Sequence, residues 1–154
     1  MIITSNSVTH NYTIPNVVTV GQVDSNLNVV ERVTVYVNSS ATFDHTYDTV
    51  INDGPGSTGV TTSVTQSKTV TEFTHYDVSL DTSGISTFVA YDDLEEDTVL
   101  GWAFDKDATT KASVQSAHET SVLEQKDKVL NPLKYYRNST SPTPWQVREE
   151  QELS

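Results

Sequence analysis

The stretch from Leu27 to Asn38, L-N-V-V-E-R-V-T-V-Y-V-N, constrains this chain more than any other part of it. In an extended backbone Val29, Glu31, Val33, Val35 and Val37 fall on one side, and Val30, Arg32, Thr34 and Tyr36 on the other. Period-two alternation of this kind is the signature of a half-buried strand, and the first, mostly apolar set is expected to face the core. Such a strand needs partners, and the composition supplies them. The 154 residues include 23 Thr, 21 Val and 17 Ser. Thr and Val are concentrated before Leu80, whereas Lys, Glu, Gln and Ala are concentrated after Leu94. β-Branched side chains suit a pleated surface, so the shift divides the chain into a β-rich part and a helical part.

Val8 to Ile14 and Val17 to Val23 read as two short strands broken by Pro15-Asn16, and Asp24-Ser25-Asn26 as a turn. Phe43 to Ile51 reads as a separate partner strand, and Asn52 to Gly59 as a loop or wide turn. Val60 to Leu80 is a long Thr-rich β stretch. The irregular spacing of Val70, Phe73, Tyr76 and Val78 predicts a bulge or break near Glu72 to His75. Asp81 to Ser86 is expected to turn. Asp92 to Phe104 then reads as a short helix, with Asp92 or Asp93 as N-cap and Glu95 and Glu96 in the first turn, where the helix dipole favours negative charge. A longer helix is expected from about Ala108 to Leu130, with Asn131-Pro132 as its stop. Leu133 to Ser154 has no periodicity. The fold expected is α+β: an N-terminal antiparallel β-sheet or small sandwich of about five or six strands, then two helices and an extended C-terminal arm. Residues 1–87 form the β-rich part, 88–132 a helical part packed on the same core, and 133–154 the arm.

Nine basic residues against 21 acidic ones give a formal net charge of −12. Phosphate contacts need a Lys/Arg footprint, so this balance argues against nucleic acid and against an anionic membrane surface. No apolar run approaches the roughly 20 residues that span a bilayer, and the start of the chain carries neither the basic nor the apolar part of a secretory leader. The absence of Cys excludes disulfides, thiolate catalysis and Cys-type zinc sites.

Residues with chemical potential are few. His118-Glu119 invites comparison with His-Glu-x-x-His, which places two metal-binding histidines on one helix face, but position 122 is Val and the second ligand is missing. A solvated helix face is the expectation there. His10, His45, His75 and His118 are scattered; strand pairing could bring His75 near His45, Asp44 and Asp48, although surface histidines are the simpler expectation. Gly54-Pro55-Gly56-Ser57-Thr58-Gly59 lacks the Gly-Lys-Ser/Thr ending of a phosphate loop, and Pro55 removes a backbone donor, so it reads as a turn. The acidic run Asp92, Asp93, Glu95, Glu96 and Asp97 lacks the alternation of a calcium loop and reads as a helix start. No Gly-x-Ser-x-Gly elbow is present. No catalytic residue, metal ligand or cofactor is assigned, and the chain is not expected to be an enzyme.

The remaining feature is apolar and aromatic: Phe88, Tyr91, Leu94, Val99, Leu100, Trp102, Phe104 and the distant Trp145, with Trp102 expected to pack the helix on the sheet. Residues 88 to 102, F-V-A-Y-D-D-L-E-E-D-T-V-L-G-W, resemble a small family of unknown function found in tailed-phage genomes, many of them marine. Its pattern is Phe-x-x-Tyr-x-x-Leu-x-x-x-x-Val-x-Gly-Trp, matched here by Phe88, Tyr91, Leu94, Val99, Gly101 and Trp102. Glu124-Gln125-Lys126, Asn131-Pro132 and Ser141-Pro142-Thr143-Pro144-Trp145 also match, and the resemblance covers roughly 29 to 145. It differs in a longer, more Thr-rich 39–87 region and in Asp105 to Lys111. The resemblance implies phage origin and carries no catalytic residues.

Together these readings lead to an expected role: a non-enzymatic structural or accessory protein of the virion. Capsid decoration or cement is preferred over a tail, neck or fibre position, and a soluble phage protein that binds a host target is the alternative. Partners would be other virion proteins, the major capsid protein or tail proteins, with a homo-oligomer or repeated copies expected, docking through strand edges and the arm. Within the arm, Tyr135, Tyr136, Pro142, Pro144 and Trp145 are the expected partner-binding residues.

Overall fold

The computed structural model describes residues 1–51, 54–56, 59–83 and 88–135. Four strands, β1 (Ile2–Ser5), β2 (Val8–Val23), β3 (Asn26–Ile51) and β4 (Val60–Ser79), form one antiparallel meander in chain order. Two helices follow, α1 (Glu96–Lys106) and α2 (Ala108–Leu130), and both pack on the sheet. The chain is therefore α+β, an N-terminal antiparallel sheet followed by two helices. Among the described residues it has one sheet of four strands, the sheet and not the small sandwich of the two expected forms, and fewer than five or six strands.

The count falls because expected breaks are absorbed within strands. β2 runs through Pro15: its register with β3 slips between Thr13 and Asn16. An extra residue in one strand is where a proline, lacking the N–H of a ladder, is tolerated. The strand expected at Leu27 to Asn38 and the one expected at Phe43 to Ile51 are one strand, β3, joined through Ser39-Ser40-Ala41-Thr42. A second slip places Thr19 opposite Val30 and Val18 opposite Arg32, which leaves Glu31 without a β2 partner. As a result Val29 and Val30 are both buried, and the simple alternation holds only from Val33 onward.

The turns use left-handed backbone. Asn6 and Ser7, the two-residue link between β1 and β2, have φ of +51° and +63°, the pattern of the primed turns that match strand twist. Asp24, between β2 and β3, has φ +53°.

β3 and β4 pair without a slip from Arg32/Ser79 to Ile51/Val60, so the bulge expected near Glu72 to His75 does not exist. The irregular spacing arises because Phe73 is not a core residue. It is 64% exposed on the face opposite the helices, with its ring 6.3 Å from that of Tyr36.

On the helix face Val33, Val35, Val37 and Val78 form the floor of the core with Tyr12, and α1 adds Val99, Leu100 and Ala103. Leu100 is fully buried, a contribution of about 1.5–3 kcal/mol from apolar burial alone. Phe104 meets the Tyr12 ring edge-on at 5.0 Å. α1 starts later than expected: Asp92 and Asp93 lie in a separate 3-10 turn (Tyr91–Asp93), and Glu95 stands at the N-cap without a side-chain bond. α2 occupies the expected span. The Asp107 carboxylate accepts from the Thr110 N–H at 3.1 Å, which satisfies a first-turn donor and holds the carboxyl below its ordinary range. Beyond Asn131, Pro132–Tyr135 form a 3-10 turn. Asp127 fastens it by accepting from Lys134 (2.6 Å), Asn131 (2.8 Å) and the Tyr135 hydroxyl, and these bonds hold its carboxyl well below the usual range. No helix among the described residues is long and apolar enough to cross a membrane.

Candidate functional site

Two features stand apart from ordinary packing: a polar chain sealed between sheet and helix, and the outer edge of β4. The first begins with register. His10 on β2 pairs with Ser39 on β3, and both side chains point to the helix face, where α2 lowers His118 onto them. Ser39 Oγ lies 2.7 Å from His10 Nδ1 and 2.7 Å from His118 Nδ1. His10 Nε2 lies 3.3 Å from Glu119 Oε1, and Glu119 Oε2 accepts from the Asn6 amide at 2.7 Å. His10 and Ser39 have no exposure, and His118 has 3%.

A hydroxyl has one proton, so it donates to one histidine and accepts from the other. One direction of donation satisfies the chain: His118 Nδ1–H to Ser39, Ser39 O–H to His10 Nδ1, and His10 Nε2–H to Glu119. His118 Nε2 is then left bare, and it has no partner. Burial holds the His118 pKa below the ordinary histidine value; Glu72 opposes this and His10 reinforces it. Nearby, Tyr12 donates to Gln115 at 3.2 Å, and burial, with Glu119 adding to it, pushes its phenol up to about 12. Glu119 is held below its usual value, first by the Asn6 bond.

Ser39, His10 and Glu119 have the order nucleophile, base and acid, but the serine is fully buried. A cavity of about 450 Å³ is lined by Ser5, Phe104, Lys111, Gln115 and Glu119 among others. It touches the acid end of the chain and not Ser39. The arrangement holds α2 on the sheet at a fixed register.

The His118-Glu119 pair is thus not a solvated helix face, and His10, His45 and His118 are not surface histidines. His45 stacks on Tyr47 at 5.4 Å on the helix face, with both ring nitrogens buried and unpartnered. Burial, then Lys68, holds its pKa below the ordinary value. His75 sits opposite Tyr36 on the open face, so His45 and His75 do not converge. Among the described residues no group of three His, Asp or Glu side chains is placed to hold a metal. The run from Asp92 to Asp97 is split between the 3-10 turn and the start of α1.

Of the six motif residues, Val99 is buried, Leu94 and Trp102 are half-buried against the core, and Phe88 and Tyr91 are exposed. A Cβ on Gly101 would meet nothing within 4 Å. Of the arm residues, Tyr135 is tied to Asp127, with Lys128 and Lys134 over its ring; Tyr136, Pro142, Pro144 and Trp145 lie outside the described residues.

The second feature is the edge. The Leu80 N–H donates to the Glu31 carbonyl at 2.7 Å. In an antiparallel ladder the N–H and C=O of one residue point to the same side, and the next residue reverses them. With an unbroken register, every even-numbered residue of β4 therefore bonds to β3, and every odd-numbered residue from Thr61 to Ser79 points its backbone outward. Among the described residues no strand pairs there; a side chain, that of Gln125, meets the Thr71 carbonyl at 3.3 Å. The open face beside it is polar, with Thr42–Thr69 and Thr46–Thr65 hydroxyl pairs at 2.8 Å and Ser63 donating to Asp48 at 2.6 Å.

No curated protein and no solved structure matches this chain. Residues 7–145 match the family described as Domain of unknown function (DUF7936), and the chain belongs to that family.

Proposed function

We propose that this chain is a non-enzymatic structural or accessory protein of a tailed-phage virion, working by docking, with capsid decoration or cement preferred over a tail, neck or fibre position. The observation that carries the docking part is the outer edge of β4, where a row of outward backbone groups has no strand beside it among the described residues. Unpaired edges are templates for strand addition, and proteins that do not use them shorten, bend or cover them. β4 runs Val60–Ser79 without a proline or a register slip. The buried position of Ser39 supports a structural use for the Ser39–His10–Glu119 chain of groups. Phage origin rests on the sequence resemblance over 88 to 102.

Quantitative mass spectrometry of gradient-purified virions, relative to the major capsid protein, tests this. Copies comparable in number to the capsid subunits support decoration or cement, and a handful per particle moves the protein to the tail or neck. Absence from the particle overturns the virion reading in favour of a soluble phage protein that binds a host target. Tyr36, Phe73 and His75, adjacent on the open face, are the patch that favours this second reading.

A further inference from the structure

We propose that the partner of the β4 edge is β4 of a second copy of this chain, paired antiparallel about a two-fold axis at Val70. The inference names one occupant for the docking edge and rests on that reading. It does not depend on phage origin, and solution mass and virion copy number separate the two failures.

Two constraints select the register. Outward residues must face outward residues, and these are the odd-numbered ones from Thr61 to Ser79. Pairing about Val70 sets Thr61 opposite Ser79 of the second copy, so the whole row is used and no outward group overhangs. The same register sets Lys68 opposite Glu72 of the second copy, and Glu72 opposite its Lys68. Both side chains lie on the helix face of β4, since they pair with Phe43 and Ser39. A two-fold axis at Lys68 or at Glu72 would place like charges opposite each other, and an axis at Thr69 or Thr71 would leave both charges facing neutral residues. Directly opposed ion pairs stabilise a sheet and like charges destabilise it. Charges facing inward on an edge strand normally deter pairing. Here their symmetric placement deters other strands while matching a second β4.

The remaining cross-strand pairs are compatible: Val64 with Tyr76, Gln66 with Thr74, Ser67 with Phe73, and Thr69 with Thr71. Gln125 must release the Thr71 carbonyl, which then accepts from the second copy. The product is a continuous sheet of twice the width, with the helices of both copies on one side and the Thr-rich faces joined on the other.

Sedimentation equilibrium of the full chain over a wide concentration range is expected to give a two-chain mass at the upper end. Thr69→Pro removes one outward N–H; because that N–H points away from β3, the ladder within the chain is left intact, so the far-UV spectrum should stay unchanged and the dimer should be lost. Lys68→Glu and Glu72→Lys each set like charges opposite twice in the two-fold dimer and should weaken it by about tenfold. The double variant K68E/E72K should return to near the original constant. A single-chain mass at every concentration overturns the proposal. So does a two-chain mass that persists in correctly folded Thr69→Pro, or a double variant no tighter than the single ones.

Discussion

Ser39 Oγ stands 2.7 Å from Nδ1 of His118, joining the middle of β3 to α2 across 79 residues of chain. The same oxygen serves His10, so one hydroxyl satisfies two buried ring nitrogens. Ser39→Ala removes it from both. An unmet buried polar group costs about 1–3 kcal/mol, so the substitution is expected to cost about 2–4 kcal/mol despite the small change in volume. Thr42→Ala, which breaks a pair on the open face, should cost under about 1 kcal/mol. Urea unfolding of the two variants checks the contrast. Equal losses would mean that the His10–Ser39–His118 chain contributes nothing beyond ordinary strand packing.

The buried histidines predict an acid-sensitive fold. His118 and His45 both have pKa values lowered by burial. In the unfolded chain a histidine takes up its proton near pH 6.5, whereas in the folded chain these two hold out to lower pH. Between those limits the unfolded state binds more protons, so stability falls as pH drops below about 6.5. Glu119, Asp107 and Asp127 have lowered values for the opposite reason, favourable bonds to the charged form, and their contribution is lost only at lower pH, as they protonate. Thermal melts between neutral and mildly acidic pH should therefore show a fall in Tm well above the carboxylate range. His118→Leu should flatten that fall while lowering Tm at neutral pH, because Ser39 loses a donor. An unchanged slope in His118→Leu would remove His118 from the account.

How much of this was legible in the chain differs by element. The β-rich half, the switch after Leu94 and the span of α2 followed from composition and spacing, although α2 packs by its local pattern only in part: Val122 and Val129 are buried, Leu123 and Leu130 are exposed. The strand count did not follow, because Leu27 to Asn38 and Phe43 to Ile51 read as two strands and not as one. Yet period two continues past Val37 through Ser39, Ala41, Phe43, His45 and Tyr47, and all of these are buried. A polar residue in that register is a signal for a buried hydrogen bond, and it points straight to Ser39. Its partners were not legible. His10 and His118 meet it only through register and helix placement, which no local pattern encodes. Phe73 misled in the other direction, as an aromatic residue on the solvent face that mimicked a bulge.

His45 offers a gain. Both of its ring nitrogens are buried without partners while the ring stacks on Tyr47. Phenylalanine keeps the stacking plane and removes two unmet polar atoms. His45→Phe is expected to stabilise the fold by about 1 kcal/mol at neutral pH, raising Tm by about 2–4 °C for a domain of this size. The gain should grow on acidification, since Phe takes no part in the proton linkage. A lowered Tm would show that a partner for His45 exists in solution.

The β1–β2 turn gives the last test. Asn6 and Ser7 both adopt positive φ, and each bears a Cβ. Asn tolerates this conformation better than most residues, and Asn6 also donates to Glu119. Ser7 has no such compensation among the described contacts, and Asn-Gly is the pair this turn favours. Ser7→Gly relieves the steric cost in the folded state and adds freedom to the unfolded chain. The first effect is about 1–2 kcal/mol and the second about 0.5–1 kcal/mol, so a net stabilisation of about 0.5–1 kcal/mol is expected. Asn6→Gly should go the other way. It frees the backbone in the same manner but removes the amide from Glu119, whose charge then lies beside His10 with one bond fewer. Opposite signs for two adjacent glycines in one turn, read by urea unfolding, would tie the turn to the buried histidine chain. A loss in Ser7→Gly would show that the hairpin is held by its ladder and not by its turn geometry.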